Sequence, residues 1–190
     1  RNQVDLDFNP IPAIALNRTW NAERAGETPA VPTDTTSYGH NVELSWLMNL
    51  AIQTGGFSLE PYKPVMKRLL DHAVQHGVDW ECGGIYRDGI ADGKAIIKEK
   101  EFWQNAEVLV GFLDGYEFLG NDRYFDAFEN VWGFVNTQLI NHAVGEFRTL
   151  LDRKGQPIDA NIGNPWKVAY HTGRALLECS QRLARLSQAA

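Results

Sequence analysis

His40 and Glu43 stand three residues apart in the stretch Ser37-Tyr-Gly-His-Asn-Val-Glu43. On a helix that spacing sets imidazole and carboxylate on one face, within reach of each other. Ser37 is of the type that caps a helix. This puts His40 in the first turn, where the positive end of the dipole disfavours a further charge on the ring. A neutral imidazole held there can take a proton, so the pair has the profile of a general base. The same pattern describes a histidine that caps a helix or fills a core gap, and the surroundings have to decide. His171 and Arg174 repeat the ionisable i, i+3 pair near the other end of the chain.

Five helical segments position these groups: Tyr38 to Gln53, Pro61 to His76, Glu99 to Leu119, Asp122 to Ile140 and Trp166 to Ser187. Their apolar stripes include Leu44, Leu47 and Met48 in the first, Phe125, Phe128, Val131, Trp132 and Val135 in the fourth, and Leu176, Leu177, Leu183 and Leu186 in the fifth. Residues 1–36 read as extended and looping, with four prolines that leave no room for a long helix. Residues 37–187 are helical hairpins, and the whole chain of 190 residues is one domain.

The connections alternate between short and long. Both long ones carry Gly-x-aromatic-Arg, a turn and Gly-x-x-Ile, which predicts a short β-hairpin in each. His40, Trp103 and Trp166 follow one another at intervals of 63 residues. Two helices per unit at this period make a toroid or solenoid of helical hairpins. Helices one, three and five are then parallel, and their starts meet on one rim, with His40 and Glu43, then Trp103 and Glu107, then Trp166, Lys167, His171 and Arg174. Trp103 and Trp166 are either core tryptophans or platforms that stack on a sugar ring. An odd helix count predicts further helices before residue 1, or pairing of two copies, because half a toroid leaves apolar edges.

A net charge of -6 and no block of Lys and Arg exclude a nucleic acid or an anionic membrane as the expected partner and favour a small neutral one. No apolar run approaches a membrane span. Cys82 and Cys179 form neither a disulfide framework nor a metal-ligand spacing, which suits the cytoplasm. His72 and His76, at i, i+4 near a helix end, complement the dipole in preference to holding zinc; His142 is a solvated loop residue. Lys98-Glu-Lys-Glu101 reads as an exposed helix start.

The motifs Tyr38-Gly-His-Asn-Val-Glu43 with Trp46-Leu47, Glu101-Phe-Trp103-x-x-Ala-Glu107 with Gly111-Phe112, Gly145-Glu-Phe147 and Trp166-Lys-x-x-Tyr-His171-x-x-Arg-Ala-Leu-x-Glu178 resemble the N-acylglucosamine 2-epimerase family. This family includes cellobiose 2-epimerase and aldose–ketose isomerases acting on mannose. The resemblance implies an all-α fold of (α/α)6-barrel type, of which this chain matches the C-terminal half. It implies that His40 and His171 are an acid/base pair with Glu43 as the acidic partner of the first, and that Trp103 and Trp166 stack on substrate. Glu107, Arg174 and Lys167 join them as substrate-binding candidates. The chain departs from the family pattern at Phe102, Gln104 and Asn105, which bears on substrate preference. A third histidine and an arginine that the family carries in its first half have no counterpart.

Proton transfer at the carbon beside an aldehyde needs two groups of near-neutral pKa on opposite faces, and no cofactor or metal. The expected activity is therefore epimerisation at C2, or aldose–ketose isomerisation, of a sugar of the mannose, N-acetylmannosamine or cellobiose class, with Lys167 or Arg174 at the enediolate oxygen. The alternatives are a carbohydrate-binding or regulatory module without turnover, and a metal-dependent enzyme using His40, Glu43 and His171.

Overall fold

Ser37 does cap the first helix. A computed structural model describes residues 35–90 and 93–189, and in it the Ser37 hydroxyl accepts from the backbone N–H of His40 at 3.3 Å. The helix, α1, is Tyr38–Thr54. Of the extended segment expected over residues 1–36, residues 1–34 lie outside the described residues. The next helix, α2, is Lys63–His72 with a proline in its first turn, and it continues into a π-helical turn at Ala73–Gly77. Helix α3 is Phe102–Leu119, stopped by Gly120 in the left-handed conformation, as its φ of 66° requires. Helix α4, Asp122–Phe134, is capped by Asn121 and ends in a second π-helical turn at Val135–Leu139. Helix α5 is Ala169–Ala189. The two π-helical turns fall at matching places in the two hairpins, as an internal repeat demands.

Side-chain pairs show the directions of the helices. Gly39 meets Gln104, Trp46 meets Glu107 and Asn49 meets Asp114, so α1 and α3 run parallel. Glu107 meets His171, Asp114 meets Arg182 and Glu117 meets Arg185, so α5 runs parallel to α3 on its other side. Helices α2 and α4 return antiparallel behind this layer, with Tyr38 against His72, and Tyr116 against Phe125. The central helix is buried without a break from Gln104 to Gly115. Gly111 permits the close approach of α1: a Cβ there would stand 2.2 Å from the Val42 side chain. No described helix is long and apolar enough to cross a membrane.

Both long connections fold into small antiparallel sheets tied to the starts of inner helices. Strands β1 (Thr36–Ser37), β2 (Asp88–Gly89) and β3 (Ala95–Ile97) form one, with Ser37 opposite Asp88. Strands β4 (Lys100–Glu101), β7 (Leu150–Leu151) and β8 (Pro157–Asp159) form another, with Glu101 opposite Leu150. Strands β5 (Ile140–Asn141) and β6 (Glu146–Phe147) form a two-stranded ribbon. The chain entering α1 and α3 is thus pinned before each helix begins.

Four expectations change. The buried face of α1 is Tyr38, Asn41, Val42, Ser45, Trp46, Asn49 and Ile52, whereas Leu44 and Leu47 are 38% and 36% exposed. On α5, Leu176, Leu177 and Leu183 are exposed, and Thr172, Ala175, Cys179 and Arg182 are buried, with Leu186 packed against the core. The reason is the same for both. Their contact with α3 includes polar groups that satisfy one another, so the buried face is not the leucine stripe; Leu176 and Leu183 instead line a groove with Leu109 of α3 and Phe128 and Trp132 of α4. Trp132 of α4 is likewise 36% exposed, beside the groove between α4 and α5. The supposed exposed helix start at Lys98 to Glu101 precedes α3: Lys98 and Glu99 belong to no element, Lys100 and Glu101 are strand, and Lys100 is fully buried.

Lys100 donates at 3.1 Å to Asp79, itself buried, and lies over the Tyr86 ring at 4.2 Å. Arg153 donates to both oxygens of Asp79, at 2.8 and 3.0 Å, and the amides of Glu81 and Cys82 also bond to this carboxylate. Burial opposes the charge on Asp79, but these donors outweigh it and hold the carboxyl well below its usual range. One carboxylate therefore clasps the first long connection, the strand leading into α3 and the hairpin of the second long connection.

Candidate active site

The parallel inner helices bring their starts to one end. There His40, Glu43, Trp103, Trp166 and His171 line a single cavity of about 230 Å³, together with Glu101 and Phe102. Trp103 sits between the two histidines, with ring centroids 4.5 Å from His40 and 5.6 Å from His171. Trp166 precedes α5, in a turn where the Asn164 side chain accepts from the amides of Trp166 and Lys167. It is 91% exposed, an indole face open to a ligand.

Glu107 lies beneath the cavity with no exposed surface. Its Oε1 is 2.6 Å from His171 Nδ1 and also accepts from Arg174 Nη2; its Oε2 accepts from Trp46 Nε1 at 3.1 Å. An ionised carboxylate can only accept, so Nδ1 of His171 carries a proton, and in the neutral imidazole the lone pair is then on Nε2. Arg174 also donates to Glu43 at 3.1 Å, which places one guanidinium between two carboxylates. Burial, and then the charge of Glu107, push the Glu43 carboxyl above its ordinary value against the pull of Arg174.

Glu43, Glu107 and His171 offer ligand atoms within 4.8 Å of one another, the spacing of a metal site. The place between the two carboxylates is taken by the Arg174 guanidinium, so a cation is already built in. His40 is not in that cluster. Cys179 supplies no nucleophile, because burial pushes its thiol up to about 12.

Lys167 stands apart from the other candidates. It is buried, donates to the carbonyl of Ile162 at 2.8 Å and pairs with Glu146 at 3.2 Å, anchoring the loop before α5. His72 does not complement a dipole with charge. Burial, and after it His76, lower its pKa to about 4, and it stays neutral. His142 is exposed but is bonded to the carbonyl of Asn136.

A second polar layer lies two turns below Glu107 and was not expected. Asn49 donates to both oxygens of buried Asp114, at 3.0 and 2.9 Å, and Arg182 donates to the same carboxylate at 3.0 Å. The seven-residue interval between Glu107 and Asp114 was the available signal, since it repeats one charge type on one face of an otherwise apolar helix.

The architecture is part of a helical-hairpin toroid, with two histidines at its rim. The family model described as N-acylglucosamine 2-epimerase matches residues 17–175. Cellobiose 2-epimerase of Ruminococcus albus is 28% identical over 153 residues, covering 78% of this chain and 38% of that protein. D-mannose isomerase of Marinomonas mediterranea is 26% identical over 181 residues, covering 95% and 42%. The solved structure of cellobiose 2-epimerase from Bacillus thermoamylovorans, 30% identical, superposes with a TM-score of 0.69 over 78% of this chain and 38% of that one. The chain belongs to the N-acylglucosamine 2-epimerase family and has the (α/α)6-barrel type of fold, of which it forms a part. It spans about two fifths of the length of these relatives.

Proposed function

We propose that the protein is a sugar 2-epimerase or aldose–ketose isomerase that moves a proton at C2 between His40 and His171. The observation that carries this reading is the buried Glu107 carboxylate on Nδ1 of His171, which leaves Nε2 as a base in the cavity that His40 also lines. In the open-chain sugar one imidazole takes the C2 proton and the electron pair of that C–H bond forms an enediolate. The other, as imidazolium, returns a proton to the opposite face of C2 and gives the epimer; delivery to C1 gives the ketose. The two imidazoles exchange roles when the reaction runs backwards. Glu43 and Arg174 carry the charge network beside His171, and Trp103 and Trp166 stack on the sugar.

The names of the relatives support a sugar of the cellobiose, N-acylglucosamine or mannose class as substrate. No redox cofactor or metal enters this chemistry. The two cysteines are free thiols, which supports a cytoplasmic place. The exposed leucines of α1 and α5 support pairing of two copies.

The test is proton NMR in D2O with mannose, N-acetylmannosamine and cellobiose. Loss of the C2 signal is the expected result, abolished by His171→Asn with folding retained. Exchange that survives this substitution refutes the assignment. The second reading, a binding module without turnover, rests on the open indole of Trp166 at the cavity. It expects sugar binding that is lost in Trp103→Ala, with a C2 signal that persists for every sugar.

A further inference from the structure

We infer that Glu101 is a substrate-positioning residue, whose carboxylate accepts a hydrogen bond from a sugar hydroxyl away from C1 and C2. This rests on the reading of the cavity as a sugar site. Glu101 lines the same cavity as both histidines. It is the N-cap residue of α3, where a carboxylate ordinarily accepts from the first free amides of its own helix. Here it makes no capping bond. Instead its Oε2 receives Gln104 Nε2 at 3.3 Å and faces Arg87 Nε at 3.5 Å. Its other oxygen makes no hydrogen bond among the described residues.

The backbone beneath this carboxylate is fixed on two sides. Glu101 pairs with Leu150 in the sheet, and its carbonyl accepts from the Asn105 side chain at 2.8 Å. Gln104 is fixed in turn, because its Oε1 accepts from the amide of Gly39 at 3.0 Å, next to His40. A chain of polar contacts thus runs from the start of α1 through Gln104 and Glu101 to Arg87. Its one spare acceptor belongs to Glu101, which lines the cavity that holds the proton-transfer pair.

Charge defines the class of ligand. Glu43, the other carboxylate lining the cavity, is paired with Arg174, and Lys167 is paired with Glu146. A braced carboxylate with a spare oxygen suits the hydroxyls of a neutral sugar and disfavours a phosphorylated or carboxylated one. One such bond to a charged acceptor corresponds to about 10- to 100-fold in affinity.

The test is ligand-observed NMR binding of mannose, cellobiose, the single-deoxy mannoses and mannose 6-phosphate to the full chain and to Glu101→Ala and Glu101→Gln, with melting checked for each. The expected result is that Glu101→Ala weakens mannose about 10- to 100-fold. One deoxy sugar should bind the unaltered chain equally weakly and be indifferent to the substitution. Glu101→Gln, which keeps an acceptor oxygen, should recover part of the loss, and the phosphorylated sugar should bind Glu101→Ala relatively better. Unchanged binding, or an equal loss for every deoxy sugar, overturns the inference and leaves a purely structural residue. C2 exchange on the same samples separates the two proposals: exchange without this pattern refutes only the role of Glu101, and the pattern without exchange refutes only the catalytic reading. An unaltered chain that binds none of these sugars overturns both.

Discussion

Nδ1 of His171 lies 2.6 Å from Oε1 of Glu107, on a carboxylate that has no exposed surface. Three groups from α1 and α5 converge on this one side chain of α3, so it is the joint of the inner layer as well as the orienter of the histidine. Glu107→Gln keeps the shape but presents either an amide donor or a weaker acceptor to Nδ1. The expected result is a fall in kcat for C2 exchange of about 10²- to 10⁴-fold with little change in KM, because the wrong tautomer of His171 becomes available. Nitrogen-15 chemical shifts of the imidazole should show that tautomer change. An unchanged shift with unchanged exchange would remove Glu107 from the mechanism.

The clasp at Asp79 makes a stability prediction that leaves the chemistry aside. Asp79→Asn removes the charge facing fully buried Lys100, and one unpaired buried charge costs about 3–5 kcal/mol. Adding Lys100→Met should restore much of it, since the end of the methionine can lie on the Tyr86 ring where the lysine ammonium does. Denaturant melts of the two single variants and the double variant measure the coupling. If the double variant is as unstable as the sum of the singles, the pair is not the clasp described here.

What was legible in the chain follows from where the information lies. His40, Trp103 and Trp166 recur at a fixed interval, so the rim could be placed before any contact was known. The start of α1 was marked by Ser37, which caps it. The faces of α1 and α5 were not legible, because apolar periodicity is read as pointing inward, whereas Phe128, Val131 and Val135 of α4 are buried as that periodicity expects. On α1 and α5 the inward face mixes apolar and polar side chains: Asn49 and Arg182 both meet Asp114 of α3, and only the fold brings these three together. Lys100 was hidden by the same logic. Its partner Asp79, and Arg153 which shares that carboxylate, are distant in sequence, and alternating charge imitates a solvated surface.

His72 gives the clearest pH signature. Burial, and then His76, lower its pKa to about 4 from 6.5, so the folded chain refuses a proton that the unfolded chain accepts. The stability this contributes is fully present above pH 6.5 and is lost as the pH falls through 4. Asp88 and Asp114 run the other way, because burial raises both to about 6 from 3.8; their contribution is present below 3.8 and lost as the pH rises through 6. Over the window from 6.5 to 4 the opposing slopes partly cancel in the unaltered chain. His72→Phe removes one of them, and the variant should gain up to about 3 kcal/mol on the unaltered chain between pH 7 and pH 4. Melting temperatures of both proteins across that range decide it, and a difference that does not vary with pH rules out His72 as the titrating group.

The edges of the inner layer carry the last consequence. Leu44, Leu47 and Leu50 on α1, and Leu176 and Leu177 on α5, are between 36% and 59% exposed. Contiguous apolar faces of this kind drive association, since each buried leucine contributes about 1.5–3 kcal/mol. The 190-residue chain should therefore self-associate as its concentration rises, and Leu47→Gln with Leu177→Gln should shift it towards monomer. Neither residue packs into the core, so the double variant should melt within a few degrees of the unaltered chain. Light scattering across a hundredfold range of concentration measures this. A chain that stays monomeric throughout, with the double variant behaving identically, would mean that these faces are compatible with water as they stand.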